Sequence, residues 1–360
     1  MKVWFVAAGT GGHIFPGITL AKEILEKHPD TRFLFFGTRD RLEATLIPAE
    51  KFPIKFLVTP RWKGGPKLLR LLSLPLVAVG VFQVLTEILE EKPKFLVSIG
   101  GYISVPVVII CAIFNVPIFL VEPNIRAGLA NRLLSRFVRL GFSTPGSDSR
   151  EVFHSPVLEL GNPIRKDILK CEIRPEVKFI SVLGGSQGSV KLGRSVLEIF
   201  SRLKLGQNHG ITLLVQTGKL HLEELKTFAQ ECEVDAWTQI VPFVNDVPKL
   251  LQKTDVMVSR AGAMSVAEIS AAALPTIFVP YPFAADDHQN QNAKLLEKPG
   301  AALRVDEREG DFIQKLESAL KLLVIDSGNV VRRSELSDQL FKFGKPKATE
   351  EIVGQILSQV

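Results

Sequence analysis

The chain has 360 residues, 46% of them hydrophobic and 23% charged, which excludes a disordered or fibrous protein and leaves room for two folded domains. Its three cysteines are far apart and form no C-x-x-C pair, which argues against a disulfide framework and a zinc site. The net charge of +6 comes from residues 1–162, which hold 19 basic against 13 acidic residues. Because residues 51–86 contain no acidic residue, we expect this stretch to favour an anionic surface or ligand.

Short apolar runs alternate with helical patterns along the whole chain. In the first half, the predicted strands are 3–8, 33–36, 56–58, 95–99 and 118–121. In the second half, they are 179–183, 212–216, 238–241, 256–259 and 276–279. This rhythm is typical of βαβ units and predicts an α/β protein with parallel sheets. A break at Gly161-Asn162-Pro163 gives a first domain over 1–162, a second over 163–345, and a final helix within 346–360 that packs back on the first domain.

Two apolar segments resemble membrane spans without meeting the requirements of one. The first, residues 103–121, has no charge, but two prolines and an asparagine divide it into a helix of about three turns and a buried strand. The second, residues 68–85, is interrupted by an arginine and a proline. Both are therefore expected to belong to folded domains.

The 68–85 segment nevertheless has more leucine and valine than one buried helix face requires. The basic and aromatic residues at its start are Trp62, Lys63, Lys67 and Arg70. This combination is typical of an interfacial patch whose apolar side chains enter the lipid while its basic side chains meet phosphate. A core helix with a solvated basic flank explains the same residues equally well. Since the chain opens on a strand-like run and not on a signal peptide, we expect any membrane contact on the cytoplasmic side.

The first glycine motif, Gly9-Thr10-Gly11-Gly12-His13, follows the first predicted strand and precedes a helix. Backbone N–H groups at a helix N-terminus bind anions and sugar hydroxyls, so the motif predicts a phosphate or substrate loop. It does not fit the dinucleotide fingerprint, because the third glycine is missing. His13 is either a general base that takes a proton from an attacking hydroxyl or a side chain that only holds the loop.

Two further glycine motifs follow strands. Gly100-Gly101-Tyr102 lies where open α/β sheets bind ligands, although a tight turn explains its glycines almost as well. In the second half, the glycine-rich run 184–189 leads from a strand into a helix and is a natural diphosphate loop. No lysine follows its last glycine, so it is not a P-loop, and ATP hydrolysis is disfavoured.

Two polar motifs of the second half suit a nucleotide sugar. The first places Gly262 before a helix and Glu268 one turn into it, where a carboxylate can accept bonds from two ribose hydroxyls. Alternatively, Ser265 and Glu268 form a capping arrangement and nothing more. The second, residues 287–292, clusters acid and amide side chains of the kind that bind sugar hydroxyls. Because no Asp-x-Asp pair and no metal-ligand spacing occur, we predict no required metal and no cofactor.

In their order, these motifs resemble the MurG family, the UDP-N-acetylglucosamine transferases of peptidoglycan synthesis. The resemblance runs from the first glycine motif nearly to the C-terminus. It implies a GT-B glycosyltransferase fold, with two Rossmann-like βαβ domains whose parallel sheets face a deep cleft. The lipid-linked muramyl-pentapeptide acceptor would bind the first domain and UDP-N-acetylglucosamine mainly the second. Together with the basic patch, the resemblance predicts a peripheral protein on the cytoplasmic side of the cell membrane, in contact with anionic lipids.

Residue roles follow from the resemblance motif by motif. The residues expected to contact the donor are Thr10, Gly11, Gly12, Asn124, Arg165, Ser186, Val244, Ala263, Met264, Ser265, Val266, Ala267, Glu268 and Gln289. Glu268 would hold the ribose, the loop around Ser186 the diphosphate, and the backbone at Val244 the uracil. Gln289 is preferred to Asn290 as the main sugar contact. Acceptor or membrane contacts are expected at Tyr102, Trp62, Lys63, Lys67 and Arg70.

The implied reaction is inverting: the C4 hydroxyl of the muramyl sugar attacks the anomeric carbon of the donor as UDP leaves. His13 is the candidate base, with Glu122 or a bound water as alternatives. Where many members of the family read His-Glu-Gln-Asn, this chain reads Val121-Glu122-Pro123-Asn124, which keeps the glutamate and the asparagine but not the other two residues.

Three other functions fit the same residues. They are a glycolipid synthase of the same fold acting on diacylglycerol, a catalytically silent nucleotide-sugar-binding protein, and a UDP-sugar epimerase. Nucleic-acid binding is disfavoured, because the basic cluster lies among leucines and valines with few aromatic residues suited to stack on bases. Lipid phosphate explains that cluster better.

Overall fold

The computed structural model describes residues 1–58, 74–185 and 188–360. They form two compact units. The first contains Met1–Ile164 together with Lys347–Val360, and the second contains Arg165–Pro346. The chain therefore leaves the first unit once and returns to it for its last residues.

A parallel sheet forms the centre of the first unit. Its strands in the described residues are β1 (Lys2–Ala7), β2 (Arg32–Gly37), β3 (Ile54–Phe56), β4 (Phe95–Gly100), β5 (Ile118–Glu122), β6 (Leu140–Ser143) and β7 (Val157–Leu158). They follow the spatial order β3-β2-β1-β4-β5-β6-β7, with every neighbouring pair parallel. The strand order reverses between β1 and β4, so the loops after these strands flank the switch point at which open α/β sheets bind ligands.

Helices accompany this sheet along the chain. Those described in the first unit are α1 (Gly11–Lys27), α2 (Glu43–Ala49), α3 (Leu74–Glu90), α4 (Ser104–Ile113), α5 (Leu129–Leu134), a 3-10 helix (Ser135–Phe137) and α6 (Ser149–Val152). The last helix of the chain, Ala348–Leu357, also belongs to this unit and packs against α1.

The burial of β1 explains why an unbroken apolar run forms this strand. Val3, Phe5 and Ala7 enter one core, which also contains apolar residues of α1 and of the last helix. Trp4 and Val6 enter another core, on the side of α3 and α4. A parallel strand that is buried on both faces needs apolar residues at every position, not at alternate ones.

The second unit is built around another parallel sheet. Its described strands are β8 (Phe179–Leu183), β9 (Thr212–Gln216), β10 (Thr238–Val241), β11 (Val256–Ser259), β12 (Thr276–Phe278) and β13 (Leu303–Arg304). Their spatial order is β10-β9-β8-β11-β12-β13, again with parallel neighbours. The switch point of this sheet lies between β8 and β11, which carry the diphosphate-loop and Glu268 motifs.

The helices of the second unit alternate with these strands. Those described are α7 (Val190–Arg202), α8 (Leu205–His209), α9 (Leu222–Glu231), α10 (Val247–Lys253), α11 (Ala263–Ala272), α12 (His288–Glu297), α13 (Phe312–Val324) and α14 (Asn329–Phe343), with 3-10 turns at Lys219–His221, Asp235–Trp237 and Ala285–Asp287. In α7, Leu192, Val196, Ile199 and Phe200 are buried in one core. Their helical spacing places one apolar stripe against the sheet. The helix Ala348–Leu357 is α15.

The predicted α/β class with parallel sheets is confirmed. Strands β8, β9, β10 and β11 have the predicted bounds, whereas β3 begins two residues earlier than expected. Strands β6, β7 and β13 were missed, and β7 and β13 have only two residues each. Residues 103–121 form α4 and the buried strand β5, as predicted. In the described part of the chain, no helix has the length and hydrophobicity needed to cross a membrane.

Candidate active site

The first glycine motif forms the beginning of α1. We expected residues 9–13 to form a loop before the helix, but α1 already begins at Gly11, with Thr10 as the exposed N-cap. The backbone N–H of His13 donates to Thr10 O at 3.0 Å, which closes the first turn. Gly11, Gly12 and His13 therefore lie in that turn, where the positive end of the helix dipole favours an anion.

A buried glutamate outside the predicted site holds the start of this motif. The Glu43 carboxylate accepts the backbone N–H of Gly9 at 3.1 Å. It also accepts the backbone N–H and the hydroxyl of Thr38, at 3.0 and 2.7 Å. Glu43 is fully buried, so these donors replace water around its charge. Glu43 thereby connects the end of β1 to the end of β2.

The second glycine motif approaches the first. Gly100 has a φ of +114°, and a Cβ at this position would lie 2.9 Å from the side-chain amide of Asn131, so glycine is required here. This close approach favours a packing role for Gly100 over a simple tight turn. The Arg41 guanidinium lies over the Tyr102 ring, 5.4 Å from its centroid. The same guanidinium also lies close to Gly9. Arg41 is thus a cation at the predicted acceptor loops that sequence reasoning missed.

The geometry of Glu122 favours a structural role over the catalytic role that we predicted. Oε1 accepts the backbone N–H and the side-chain amide of Asn124, at 3.0 and 3.1 Å. Oε2 accepts the Gly128 N–H at 2.9 Å and the Asn131 amide at 2.8 Å. Burial raises the pKa of Glu122, and these hydrogen bonds act in the opposite direction. With both oxygens occupied and 1% of the residue exposed, the carboxylate is poorly placed to receive a substrate proton.

We therefore expect Glu122→Ala to destabilise the first unit. The substitution leaves the N–H groups of Asn124 and Gly128 and the amide of Asn131 without their acceptor, which should lower the free energy of unfolding by about 3 kcal/mol. Urea unfolding of the variant beside Glu151→Ala, an exposed glutamate of the same unit, measures this. Unchanged stability combined with lost sugar transfer would instead restore Glu122 as a catalytic candidate.

The third glycine motif ends at the N-terminus of α7. Gly188 has a φ of +76°, and a Cβ there would collide with the carbonyl of Thr217, so no other residue fits. Ser189 is the N-cap of α7, and its Oγ accepts the Leu192 N–H at 3.4 Å. Ser186, the predicted diphosphate contact, lies outside the described residues.

The Glu268 motif brings two predicted residues together. Glu268 is 8% exposed, and its Oε1 forms an ion pair with Arg165 Nη1 at 3.4 Å. Burial raises the pKa of Glu268, Arg165 lowers it, and Asp167 raises it. The capping alternative is wrong, since Gly262 is the N-cap of α11 and no side chain caps this helix.

The remaining residues of the Glu268 motif line the first turns of α11. Ala263 and Met264 are buried, whereas Ser265, Val266 and Ala267 are half-buried. The N–H groups of Ala263, Met264 and Ser265 precede the first intrahelical bond, which the Val266 N–H donates to Gly262 O.

The amide side chains at the start of α12 differ in their burial and in their hydrogen bonds. Asn290 is buried, donates to Asp287 Oδ2 at 2.8 Å and accepts from Arg304 Nη1 at 3.3 Å. Gln289 is half-buried, and its Oε1 accepts the backbone N–H of Tyr281 at 3.0 Å. Because Asn290 uses both ends of its amide within the protein, the contacts agree with the preference for Gln289 as the sugar contact.

The predicted site residues gather at one edge of each sheet. In the first unit, residues 10–13 follow β1, Tyr102 follows β4, and Glu122 ends β5 with Asn124 just after it. These three strands are neighbours in the sheet. In the second unit, Val244 follows β10 and packs beside Leu214 and Leu250. The Glu268 and Gln289 motifs follow the adjacent strands β11 and β12.

The structure does not describe four of the predicted acceptor or membrane contacts, which are Trp62, Lys63, Lys67 and Arg70. Among the residues that the structure does describe, no group of three or more His, Cys, Asp or Glu side chains is arranged to hold a metal ion.

Two family models together match most of the chain. Residues 3–141 match the glycosyltransferase family 28 N-terminal domain, and residues 179–352 match the glycosyltransferase family 28 C-terminal domain. A relative from Anaeromyxobacter sp. (strain Fw109-5) is 34% identical over 98% of this chain and 92% of its own length. Its name is UDP-N-acetylglucosamine--N-acetylmuramyl-(pentapeptide) pyrophosphoryl-undecaprenol N-acetylglucosamine transferase. The chain belongs to the MurG family.

Other members of the MurG family show the same likeness. A relative of the same name from Thermoanaerobacter sp. (strain X514) is 31% identical over 99% of this chain and all of its own length. The crystal structure of Acinetobacter baumannii MurG superposes with a TM-score of 0.77 at 23% identity, covering 99% of both chains. The GT-B fold that the sequence predicted is thereby confirmed.

Proposed function

We propose that this protein transfers N-acetylglucosamine from UDP-N-acetylglucosamine to the C4 hydroxyl of undecaprenyl-diphospho-N-acetylmuramyl-pentapeptide, the step from lipid I to lipid II in peptidoglycan synthesis. Membership of the MurG family makes it a glycosyltransferase that uses this donor and a lipid-linked acceptor. The observation that carries the proposal is the gathering of the Ser189, Glu268 and Gln289 loops at one edge of the second sheet. A nucleotide sugar needs such neighbouring partners for its diphosphate, ribose and sugar.

In this proposal the second unit binds the donor. The N-terminus of α7 and the loop around Ser186 hold the diphosphate, since free backbone N–H groups and the helix dipole offset its charge as UDP leaves. Glu268 accepts the ribose hydroxyls, and the backbone at Val244 reads the uracil. Gln289 binds hydroxyls of N-acetylglucosamine. Arg165, beside Glu268, lowers the pKa of that carboxyl and so opposes the larger, raising effect of burial.

The first unit provides the acceptor chemistry in this proposal. His13, in the first turn of α1, takes the proton of the C4 hydroxyl as its oxygen bonds to the anomeric carbon. The bond between that carbon and the donor phosphate breaks, and the configuration inverts. Thr10, Gly11, Gly12 and Asn124 line the same sheet edge, and Tyr102 with Arg41 lies beside them.

Peripheral binding to the cytoplasmic membrane surface is the second part of the proposal. Helices α3, α4 and α5 pack in sequence on the first unit. Large apolar side chains remain exposed on them and on the adjoining 3-10 helix: Val79 45%, Phe82 64%, Ile113 65%, Leu133 54% and Phe137 44%. The exposed arginines Arg132 and Arg136 directly precede Leu133 and Phe137 in the chain. Apolar side chains with adjacent cations suit an anionic lipid surface, and no nucleic-acid partner is proposed.

Vesicle binding tests this surface. Reversing the charge at Arg132 and Arg136 (Arg132→Glu with Arg136→Glu) should weaken binding to phosphatidylglycerol vesicles by at least about tenfold, since each basic residue near such a surface contributes about 1 kcal/mol. Lys342→Glu with Lys345→Glu, exposed lysines of the second unit, is the matched control. Equal binding of both double variants would contradict a role for this face.

Transfer of labelled N-acetylglucosamine to a water-soluble analogue of lipid I tests the activity itself. We expect product with a β-1,4 bond from the wild-type protein. Transfer to diacylglycerol instead would support a glycolipid synthase. Conversion of the UDP-sugar without any acceptor would support an epimerase, and donor binding without any reaction would support a silent binding protein.

A further inference from the structure

Residues 304–308, which begin at the end of β13, lie outside every motif selected from the sequence. In the folded second unit, the charged side chains of this 304–308 segment contact two donor-site loops. Arg304 and Arg308 reach the start of α12, where Gln289 lies. Glu307 reaches Arg260, which contacts the N-cap of α7. The segment therefore has two arms, and each ends at a different loop.

The Arg308 arm fixes the turn before α12. Asp306 accepts from Arg308 Nε at 2.9 Å and from Nη2 at 2.7 Å, a two-point contact that orients the guanidinium. Arg308 Nη1 then donates to Asp287 Oδ1 at 3.1 Å. Asp287 has a φ of 54°, a left-handed conformation that a non-glycine residue keeps only when its surroundings hold it. The arm supplies that restraint.

The same arm controls the neighbours of Gln289. Asn290 Nδ2 donates to the second oxygen of Asp287 at 2.8 Å, while its carbonyl accepts from Arg304 at 3.3 Å. The residues two before and one after Gln289 are thus tied to the 304–308 segment. Gln289 itself is held against the Tyr281 N–H. Rotation of this first helical turn would move the Gln289 side chain.

The Glu307 arm runs to the other loop. Glu307 is 7% exposed and forms an ion pair with Arg260 Nη2 at 2.6 Å, and Arg260 is itself 4% exposed. The same nitrogen of Arg260 donates to Ser189 Oγ at 2.6 Å. Ser189 Oγ also accepts the Leu192 N–H that begins α7. The buried pair therefore fixes the cap beside the diphosphate loop.

We propose that the 304–308 segment is a positioning element of the donor site, in which Arg308 orients Gln289 toward the sugar and Glu307 orients the N-terminus of α7 toward the diphosphate. This inference rests on the proposed function, because it assumes that the two loops bind UDP-N-acetylglucosamine. The arms serve different parts of the donor. Loss of the Arg308 arm should harm only ligands that carry the sugar, whereas loss of the Glu307 arm should harm every ligand that carries the diphosphate.

Calorimetric titration of full-length protein with UDP and with UDP-N-acetylglucosamine tests the two arms separately. For Arg308→Ala we expect affinity for UDP-N-acetylglucosamine to fall about tenfold while affinity for UDP stays within about twofold. Arg308→Lys keeps the charge but not the two-point contact, so it should recover only part of the loss. For Glu307→Ala we expect both ligands to weaken by a similar factor of about ten. Arg332→Ala, which removes an ion pair with Glu335 elsewhere in this unit, is the control.

The titration results distinguish failure of the positioning role from failure of the proposed function. Wild-type protein that binds UDP-N-acetylglucosamine, with Arg308→Ala weakening both ligands equally and lowering Tm, would reduce the arm to a purely structural contact and overturn the inference. Unchanged affinities in both variants would overturn it as well. Wild-type protein that binds neither ligand would overturn the proposed function, and this inference with it.

Discussion

Replacing His13 with alanine should reduce sugar transfer by about a thousandfold while leaving affinity for UDP-N-acetylglucosamine within about twofold, because a general base acts on the acceptor hydroxyl in the transition state. His13 lies in the first turn of α1, at the carboxyl edge of the first sheet. The measurement is kcat for the soluble lipid I analogue, with donor affinity measured by calorimetry on the same samples.

His28→Ala provides the matched control, since His28 is the exposed C-cap at the other end of the same helix. It should keep wild-type kcat. If His13→Ala retained full transfer, the base would have to be a bound water or another side chain. If it lost donor binding instead, His13 would be a loop-holding residue.

Removing the Glu268 carboxylate should weaken donor binding more than any other single change in the second unit. Loss of two charge-assisted hydrogen bonds to the ribose predicts a fall in affinity of roughly a hundredfold for Glu268→Ala. UDP and UDP-N-acetylglucosamine should be affected alike, because both contain the ribose. Glu231→Ala, an exposed glutamate of α9, is the control and should bind as the wild type does.

The pH dependence of binding gives a second test of Glu268. Only the ionised carboxylate accepts from both ribose hydroxyls, and burial raises the pKa of Glu268 above its ordinary value. Affinity should therefore be complete above that raised pKa and should fall as the pH drops through it, before an exposed glutamate would titrate. Glu268→Gln should bind weakly and lose this dependence. A titration curve identical in the two proteins would exclude Glu268 from ribose binding.

The sequence was sufficient to predict the sheet edges and the loops that follow them. Parallel strands buried on both faces, such as β1 and β9, are unbroken apolar runs, and the glycine motifs directly follow three of them. Since the carboxyl ends of parallel strands share one edge of their sheet, the motifs within each unit had to lie along that edge. The start of α1 inside its motif was not predicted, because glycines are weak helix formers that a favourable N-terminus tolerates here.

The contacts that hold these loops were not predictable from local patterns. Glu43 and Gly9 are 34 positions apart in the chain, and Arg308 and Asp287 are 21 apart. Neither separation corresponds to a helix or strand repeat, so no local sequence pattern indicates these contacts. Glu122 is another example. A carboxylate at the end of a strand is a candidate catalytic group in the sequence, but in the structure it accepts hydrogen bonds from Asn124, Gly128 and Asn131. Its environment, not its identity, decides its role.

The return of the chain to its first unit has a consequence for how the protein is made. Ile352, Val353 and Ile356 of α15 fill the core between α1 and the first sheet, and Thr349 Oγ1 donates to Ile164 O at 2.7 Å. A ribosome translates these residues only after the whole second unit, so nascent residues 1–164 have an incomplete apolar core until that unit has emerged. Chains that end before Ala348 would keep every catalytic motif yet leave that core exposed. Quality-control proteases would therefore recognise such chains as incompletely folded.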